Sequence, residues 1–235
     1  MTCDEIAVVR SCFGGKFATP RQPGLCPSAW GELVFREDYR SREAIRGIEG
    51  FSHLWLIFGF HETAGKGWRP TVRPPRLGGD KRVGVFASRS TFRPNGLGLS
   101  LVRLEGVRDD PGLGPVLELG GLDLIDGTPV YDIKPYLPYA EAPAGASGGY
   151  AGGAPATLPV VVEDEAAAAF AGLGERARAV VLEALAQDPR PAVRAGEEER
   201  VFGADLCGCE VRFRIGGGMC RVVEIRAGEG SGLND

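Results

Sequence analysis

The sequence predicts a mainly β protein: an N-terminal antiparallel β-barrel followed by a small C-terminal α+β unit. Three observations lead there. Short apolar, β-branched runs recur between Gly or Pro breaks through the first 135 residues, the pattern of strands joined by turns. Only one segment among them has helical composition, so the strand–helix alternation of a parallel doubly wound sheet is missing. Glycine and proline together make up 53 of the 235 residues, which favours turns and argues against a helical bundle.

Taken in order, strands are expected over residues 6–9, 32–35, 54–60, 83–87, 99–107, 116–119 and 130–133, with a short helix over 41–46. Closing such a sheet into a barrel removes its exposed edges. The long proline-bearing connections, 61–82 and 88–96, are then loops at a barrel mouth, where function concentrates. Residues 142–162 carry no charged side chain and consist mainly of Ala, Gly and Pro, which ends the strand pattern and reads as a linker. Beyond it, residues 163–187 are alanine-rich with acids at the start, a helix that Gly172 and Gly174 split and Asp188-Pro189 stops. Residues 199–202, 210–215 and 219–226 read as strands, the last two joined at Gly216-Gly217-Gly218. The expected layout is a barrel over 1–140, a linker over 141–162, an α+β domain over 163–226 and a disordered tail over 227–235.

With 43% hydrophobic and 25% charged residues, the chain falls in the globular range and outside the fibrous and membrane-embedded classes. The longest apolar stretch, residues 51–60, is about half of what spans a bilayer, and the opening Met-Thr-Cys-Asp-Glu places acid where a signal peptide carries base. A cytoplasmic protein without membrane contact is expected. The six cysteines, Cys3, Cys12, Cys26, Cys207, Cys209 and Cys220, contain no Cys-x-x-Cys pair, and the two histidines, His53 and His61, share one short segment. No metal site is expected, and the thiols are expected to be reduced and idle.

Charge is uneven along the chain. Residues 1–110 hold 17 Lys and Arg against 12 Asp and Glu, whereas 111–235 hold 10 against 19. Between 66 and 103 stand nine basic residues, Lys66, Arg69, Arg73, Arg76, Lys81, Arg82, Arg89, Arg93 and Arg103, against the single acid Asp80, interleaved with Trp68, Phe86 and Phe92. Clustered arginine neutralises phosphates and aromatic faces stack unpaired bases, so this stretch has the character of an RNA-binding rim. A solvated basic face without a ligand is the plainer reading of the same run.

The standard nucleotide and hydrolase motifs are missing. Asn95-Gly96-Leu97-Gly98 contains Gly-x-Gly but lacks the third glycine and a following helix, so it is no dinucleotide fingerprint. There is no phosphate loop, no Gly-x-Ser-x-Gly elbow and no complete His-Glu-x-x-His. Polar clusters remain at loop positions: Pro20-Arg21-Gln22, His61-Glu62, Arg73-Pro74-Pro75-Arg76, Ser88 to Asn95, and Asp126-Gly127-Thr128-Pro129.

Lys16-Phe17-Ala18-Thr19-Pro20-Arg21-Gln22-Pro23-Gly24-Leu25, Phe51-Ser52-His53-Leu54-Trp55, Val72-Arg73-Pro74-Pro75-Arg76-Leu77-Gly78-Gly79, Gly84-Val85-Phe86-Ala87-Ser88-Arg89-Ser90-Thr91-Phe92-Arg93-Pro94-Asn95 and Asp123-Leu124-Ile125-Asp126-Gly127-Thr128-Pro129-Val130-Tyr131-Asp132-Ile133-Lys134-Pro135-Tyr136 resemble, in order, the TsaA-like or TrmO family of tRNA methyltransferases. A weaker likeness to the family's C-terminal domain continues through Ala186-Gln187-Asp188-Pro189-Arg190-Pro191-Ala192-Val193-Arg194. The resemblance implies a homodimeric barrel enzyme without metal. Such an enzyme uses S-adenosylmethionine to methylate N6 of N6-threonylcarbamoyladenosine at position 37, beside the anticodon of threonine tRNA. It also implies cofactor contacts at Pro20, Arg21, Gln22, His61, Glu62, Arg89, Leu99, Asp126, Gly127, Thr128 and Pro129. Gly96-Leu97 stands where the family usually has Pro-Ile, Ser88 where it has Thr and Ala7 where it has Gly; none of these falls on an implied contact.

The residue types suit the implied chemistry. The cofactor's carboxylate wants a guanidinium, its ribose a carboxylate or amide, and its adenine edge the backbone of a tight turn. Arg21, Arg89, Glu62, Gln22 and the Asp126 turn supply that set. His61, Glu62, Asp126 and Asp132 are the candidate bases, with a positioning role equally open to His61. Lys66, Arg69, Arg73, Arg76, Lys81, Arg82 and Arg93 are the expected tRNA contacts, on the anticodon stem-loop. Two alternatives stay open: a non-catalytic RNA-binding barrel with structural or regulatory S-adenosylmethionine, and a small-molecule methyltransferase, for which so basic a segment has no use.

Overall fold

The computed structural model of the protein describes residues 3–191, 194, 196–198 and 200–228. Its first eight strands are β1 (Ala7–Ser11), β2 (Trp30–Phe35), β3 (His53–Gly59), β4 (Thr71–Val72), β5 (Val83–Gly84), β6 (Leu97–Asp110), β7 (Gly114–Gly120) and β8 (Thr128–Pro135). Six of them form a closed barrel in the order β1-β2-β7-β6-β3-β8, every pair antiparallel. The seam is β1 against β8, with Ala7 opposite Val130, Val8 opposite Pro129 and Val9 opposite Thr128. Ala7, Val9, Leu33, Leu54, Leu56, Val102, Leu117 and Val130 are fully buried, the inward positions of a barrel too small for a lumen.

Two local expectations are corrected. Residues 83–87 contribute no barrel strand: only β5 is extended, paired with β4 in a two-stranded ribbon, and Val85–Ala87 is a 3-10 turn. Pro70, Pro74 and Pro75 deprive this connection of amide donors, which keeps it out of the ladder. Residues 41–46 form successive tight turns in place of a helix, Ala44 N–H donating to the Ser41 carbonyl at 3.1 Å and Arg46 N–H to that of Glu43 at 3.3 Å. Six residues are too few to nucleate a helix unaided, and Gly47 leaves at φ 83°.

A short helix α1 (Pro138–Glu141) follows the barrel, and then come β9 (Val160–Val162), α2 (Asp164–Ala171), α3 (Glu175–Ala186), β10 (Phe202–Leu206), β11 (Cys209–Gly216) and β12 (Met219–Ala227). They build a four-stranded sheet in the order β10-β11-β12-β9 with the last pair parallel. Helix α3 buries Ala177, Val180, Val181, Ala184 and Leu185, one face at helical spacing. Gly217 and Gly218, at φ 58° and 74°, make the double left-handed turn that a two-residue hairpin requires.

Strand β9 lies inside the stretch read as linker, and β12 runs through Ala227, where the tail was expected to begin. The rest of that expected tail, 229–235, lies outside the described residues, as does Glu199. Among the described residues of the strand expected over 199–202, Phe202 alone is extended, as the first residue of β10. No helix among the described residues is long and apolar enough to cross a membrane.

Barrel and C-terminal sheet share one apolar core. Phe17, from the loop after β1, stacks on Phe202 and Phe213 with ring centroids 5.9 and 6.0 Å away, and Phe13 bridges to Leu206. Burial raises the thiols of Cys26 and Cys220, the latter to about 12, which leaves both neutral and unreactive.

Gly98, which the sequence left without a role, faces the Phe58 ring: a Cβ there would stand 2.2 Å from Phe58 Cζ. Gly98→Ala is expected to cost about 1–3 kcal/mol by overpacking. Gly84→Ala, where a Cβ meets nothing within 4 Å, is expected to be neutral. Urea denaturation midpoints of the two variants check this.

Candidate active site

Antiparallel closure sends the ends of β1, β3 and β7 and the starts of β2, β6 and β8 to one mouth of the barrel. The register fixes it: Ser11 faces Gly31, Val9 faces Thr128, Gly59 faces Leu97 and Trp30 faces Gly120. Loops 12–29, 60–96 and 121–127 gather there. They carry Pro20, Arg21 and Gln22, then His61, Glu62 and Arg89, then Asp126 and Gly127; Leu99, Thr128 and Pro129 lie near the starts of β6 and β8.

Hydrogen bonds fasten these segments together. Arg89 Nη1 donates to Gln22 Oε1, which ties the 60–96 loop to the 12–29 loop. Phe60 N–H donates to the Gly96 carbonyl at 2.8 Å. Asp126 Oδ1 accepts from the Ser11 N–H at 2.9 Å, and Gly127 N–H donates to the Val9 carbonyl at 2.9 Å. Gly127 sits at φ 75°, the left-handed region that glycine enters without steric cost. Buried Thr128 donates its hydroxyl to the Ile125 carbonyl at 2.6 Å. The Asp126 turn is thus held by the barrel seam itself, while the Asp126, His61 and Glu62 side chains face solvent. Leu99 is 53% exposed, an apolar side chain open at the same mouth.

Asp132 stands apart. It lies three residues beyond Pro129 along β8, about 10 Å at strand rise, and it pairs on the outer wall with Lys134 at 2.9 Å. The C-terminal domain reaches the mouth through Arg21, whose Nη2 donates to the Arg190 carbonyl at 3.3 Å. Arg190 grips Asp188 with two bonds of 2.9 Å. Burial raises the Asp188 carboxyl, but the Arg190 hydrogen bonds and the Arg21 charge outweigh it and leave the group below its ordinary value.

Sequence reasoning missed Asp123. It is flanked by Leu122 and Leu124, both buried, and it accepts a hydrogen bond from the fully buried Ser100 hydroxyl. Burial pushes its carboxyl up to about 6, against the pull of Ser100 and of the Arg89 charge. An acid inside the apolar run Leu122-Asp123-Leu124-Ile125 was the available signal.

The basic loops divide into two groups. Arg93 Nη1 donates to the Ser88 carbonyl at 2.7 Å and the Val85 carbonyl at 3.2 Å, Arg76 Nη2 to the Gly153 carbonyl at 2.6 Å, and Arg82 Nη1 to the Thr71 hydroxyl at 3.0 Å. Arg69 lies 4.6 Å over the Phe92 ring. These four clamp loops. Lys66, Arg73 and Lys81 are exposed and make no ion pair among the described residues. Trp68 and Phe86 are 54% and 73% exposed on the same connection, with the Arg93 guanidinium 5.8 Å from the Phe86 ring.

Residues 8–142 match the tRNA-methyltransferase O N-terminal domain model, and residues 155–228 match the TrmO C-terminal domain model. The chain belongs to the TrmO family. It is 51% identical over 220 residues to the tRNA (adenine(37)-N6)-methyltransferase of Escherichia coli K12, spanning 90% of this chain and 92% of that protein. A Pseudomonas aeruginosa relative, 44% identical over 229 residues, or 95% of this chain and 97% of that protein, bears the name of a proposed S-adenosylmethionine-dependent methyltransferase. The crystal structure of TrmO from Pseudomonas aeruginosa superposes with a TM-score of 0.79 at 38% identity, over 97% of this chain and 98% of that one. This TrmO family member therefore shares both halves of its fold with relatives of full length.

Asp123 sets a pH signature. Its folded-state value lies above the ordinary 3.8, so its contribution to stability is complete below that value and is lost as pH rises through about 6. Ionised Asp123 costs the fold on the order of 2–3 kcal/mol at neutral pH. Asp123→Asn, a mimic of the protonated form, is expected to be more stable than the wild type at pH 7.5, with the gap closing towards pH 4. Urea midpoints at the two pH values check this.

Proposed function

We propose that this TrmO family protein transfers a methyl group from S-adenosylmethionine to N6 of N6-threonylcarbamoyladenosine at position 37 of threonine tRNA. The observation that carries the reading is the convergence of Arg21, Gln22, Glu62, Arg89 and the Asp126 turn at one barrel mouth, beside exposed basic loops.

The donor set at the mouth fits the cofactor. Arg21 and Arg89 offer guanidinium forks to a carboxylate, Glu62 and Gln22 offer acceptors and donors to ribose hydroxyls, and the Asp126–Pro129 turn presents fixed backbone groups to an adenine edge. Bound there, S-adenosylmethionine supplies a methyl group already activated by its sulfonium. The protein's task is then to align the acceptor nitrogen and exclude water. That nitrogen lies between a purine and a carbamoyl group, which acidifies its N–H, so modest base assistance suffices; His61, Glu62 and Asp126 stand at the mouth to give it. Asp132, on the outer wall and paired with Lys134, is the weakest of the four sequence candidates.

Lys66, Arg73 and Lys81 neutralise phosphates of the anticodon stem-loop, and Trp68 and Phe86 offer faces to unstacked bases. We read the protein as a homodimer, with Leu99, exposed near the mouth, available to the contact between copies. The protein works in the cytoplasm, where its tRNA substrate is.

Nucleoside mass spectrometry of tRNA incubated with the protein and S-adenosylmethionine tests the reading. Threonylcarbamoylated tRNA is expected to gain one methyl group and unmodified tRNA almost none, because adenosine lacks the acidifying carbamoyl and the threonyl carboxylate. Equal methylation of both would contradict it. Arg73→Ala is expected to lower tRNA affinity and to reduce the slope of log affinity against log salt by about 0.7–0.9. Arg93→Ala, which frees the Ser88 and Val85 carbonyls, is expected to lower the melting temperature instead.

A further inference from the structure

Two thiols that the proposed chemistry does not use are brought face to face where the barrel meets the C-terminal sheet. Cys12 follows the last residue of β1, and Cys207 opens the turn between β10 and β11. Their neighbours Phe13 and Leu206 form an antiparallel bridge. It is held on one side by the Gly14 N–H donating to the Asp205 carbonyl at 3.1 Å, and on the other by the Cys207 N–H donating to the Cys12 carbonyl at 2.7 Å. This register sets Cys207 directly opposite Cys12, with both side chains on one face. Residues opposed across such a ladder have Cα atoms about 5.5 Å apart, inside the range that a disulfide spans. The two thiols are hydrogen-bonded to each other.

The turn supplies a second observation. Cys207 and Gly208 sit at φ 51° and 74°, the double left-handed turn that Asn-Gly fills best. Cysteine is a poor choice for the first position, where a side chain other than Asn or Asp is uncommon. A local rule broken at the one place where the side chain meets Cys12 points to a use for the sulfur. We propose that Cys12 and Cys207 form a redox site: a dithiol that hydrogen peroxide converts to a disulfide, fastening the root of the first mouth loop to the C-terminal sheet.

Exposure assigns the roles. Cys12 is 3% exposed and Cys207 only partly buried, so the oxidant meets Cys207. The Cys207 thiolate attacks one peroxide oxygen, the O–O bond breaks, and hydroxide leaves to be protonated to water. The resulting sulfenic acid is attacked at sulfur by the Cys12 thiolate; the S–O bond breaks, hydroxide leaves as a second water, and the S–S bond forms. Two thiols thus lose two electrons and one peroxide gains them. Burial raises the Cys12 thiol, but the Cys207 hydrogen bond, the Trp30 backbone and the Arg176 charge outweigh it and leave the group below its ordinary value, which suits the attacking sulfur. Cys26, the other buried thiol near Cys12, donates to the Val180 carbonyl at 3.9 Å, and burial and Glu183 keep it protonated. A bridge of this kind is transient in a reducing compartment and returns to the dithiol.

Peptide mass spectrometry of the full chain tests this. The reduced protein is treated at pH 7.5 with a small molar excess of hydrogen peroxide and alkylated, with melting curves taken before and after. Wild type is expected to give a Cys12–Cys207 linked peptide pair, lighter than the reduced pair by two hydrogens. It is also expected to melt about 5–15 °C higher, as closure of a long loop does, and dithiothreitol is expected to reverse both changes. Cys207→Asn, which installs a residue the turn favours and so keeps the fold, is expected to show neither bridge nor shift. Cys209→Ser is expected to bridge as wild type does. A bridge from Cys207 to Cys209 or from Cys12 to Cys26, Cys207 carried to the sulfinic acid with Cys12 left a thiol, or no oxidation of the pair would overturn the inference. A Cys12–Cys207 bridge that leaves the melting temperature unchanged would overturn its fastening role. None of these outcomes depends on the cofactor reading.

Discussion

The seam where β1 meets β8 closes the barrel, and the candidate site is built directly on it. Val9 pairs with Thr128 and its carbonyl also takes the Gly127 N–H, while Ser11 and Phe13, one turn on, hold Asp126 from both sides. Strand pairing is cooperative along a ladder, so these bonds are as firm as the barrel wall they extend. Closure also decides direction: with six antiparallel strands, every other connection must emerge at the same end. Three loops separated by up to a hundred residues thus share one mouth, and each delivers a different functional group. Opening the seam would disperse them.

The C-terminal domain acts as a buttress to this arrangement. Its sheet receives Phe17 from the first mouth loop into an aromatic stack with Phe202 and Phe213. Its helix α3 places Glu183 against Ser28, which donates both its N–H, at 2.9 Å, and its hydroxyl, at 2.8 Å. Arg176 reaches Glu105 on the barrel wall at 2.8 and 2.9 Å, and its guanidinium lies 5.4 Å over the Trp30 ring. The loop bearing Pro20, Arg21 and Gln22 is therefore held at several points, and the Arg190 carbonyl takes the Arg21 guanidinium itself. Pre-set loops lower the ordering cost of binding a flexible ligand.

Much of this was legible in the sequence, for physical reasons that differ by element. The barrel strands declared themselves because β-branched runs between Gly and Pro have few other ways to bury their side chains, and Gly217-Gly218 declared its hairpin through the only backbone that fits. Residues 83–87 misled: Val83, Val85 and Phe86 have strand composition, yet only Val83 and Gly84 pair, with β4 outside the barrel, and Phe86 ends 73% exposed. The basic run was read as one rim, but charge composition cannot tell a phosphate grip from a loop clamp, and Arg93, Arg82 and Arg76 each turn one guanidinium nitrogen to backbone or hydroxyl groups. Arg103 belongs to the barrel wall, paired with Glu105 at 2.5 Å. Asp123 escaped notice because its importance lies in a contact to Ser100, 23 positions away, that only the register of β6 brings about.

The central claim is that the cofactor occupies the mouth formed by the ends of β1 and β3 and the starts of β6 and β8. Hydrogen–deuterium exchange with and without S-adenosylmethionine addresses it most directly, because it reads every loop of the intact protein at once. Protection confined to peptides covering residues 15–24, 60–64, 86–99 and 123–130 is the result this account predicts. Protection at the opposite mouth, in residues 36–52 and 110–114, with none in those segments, would contradict it.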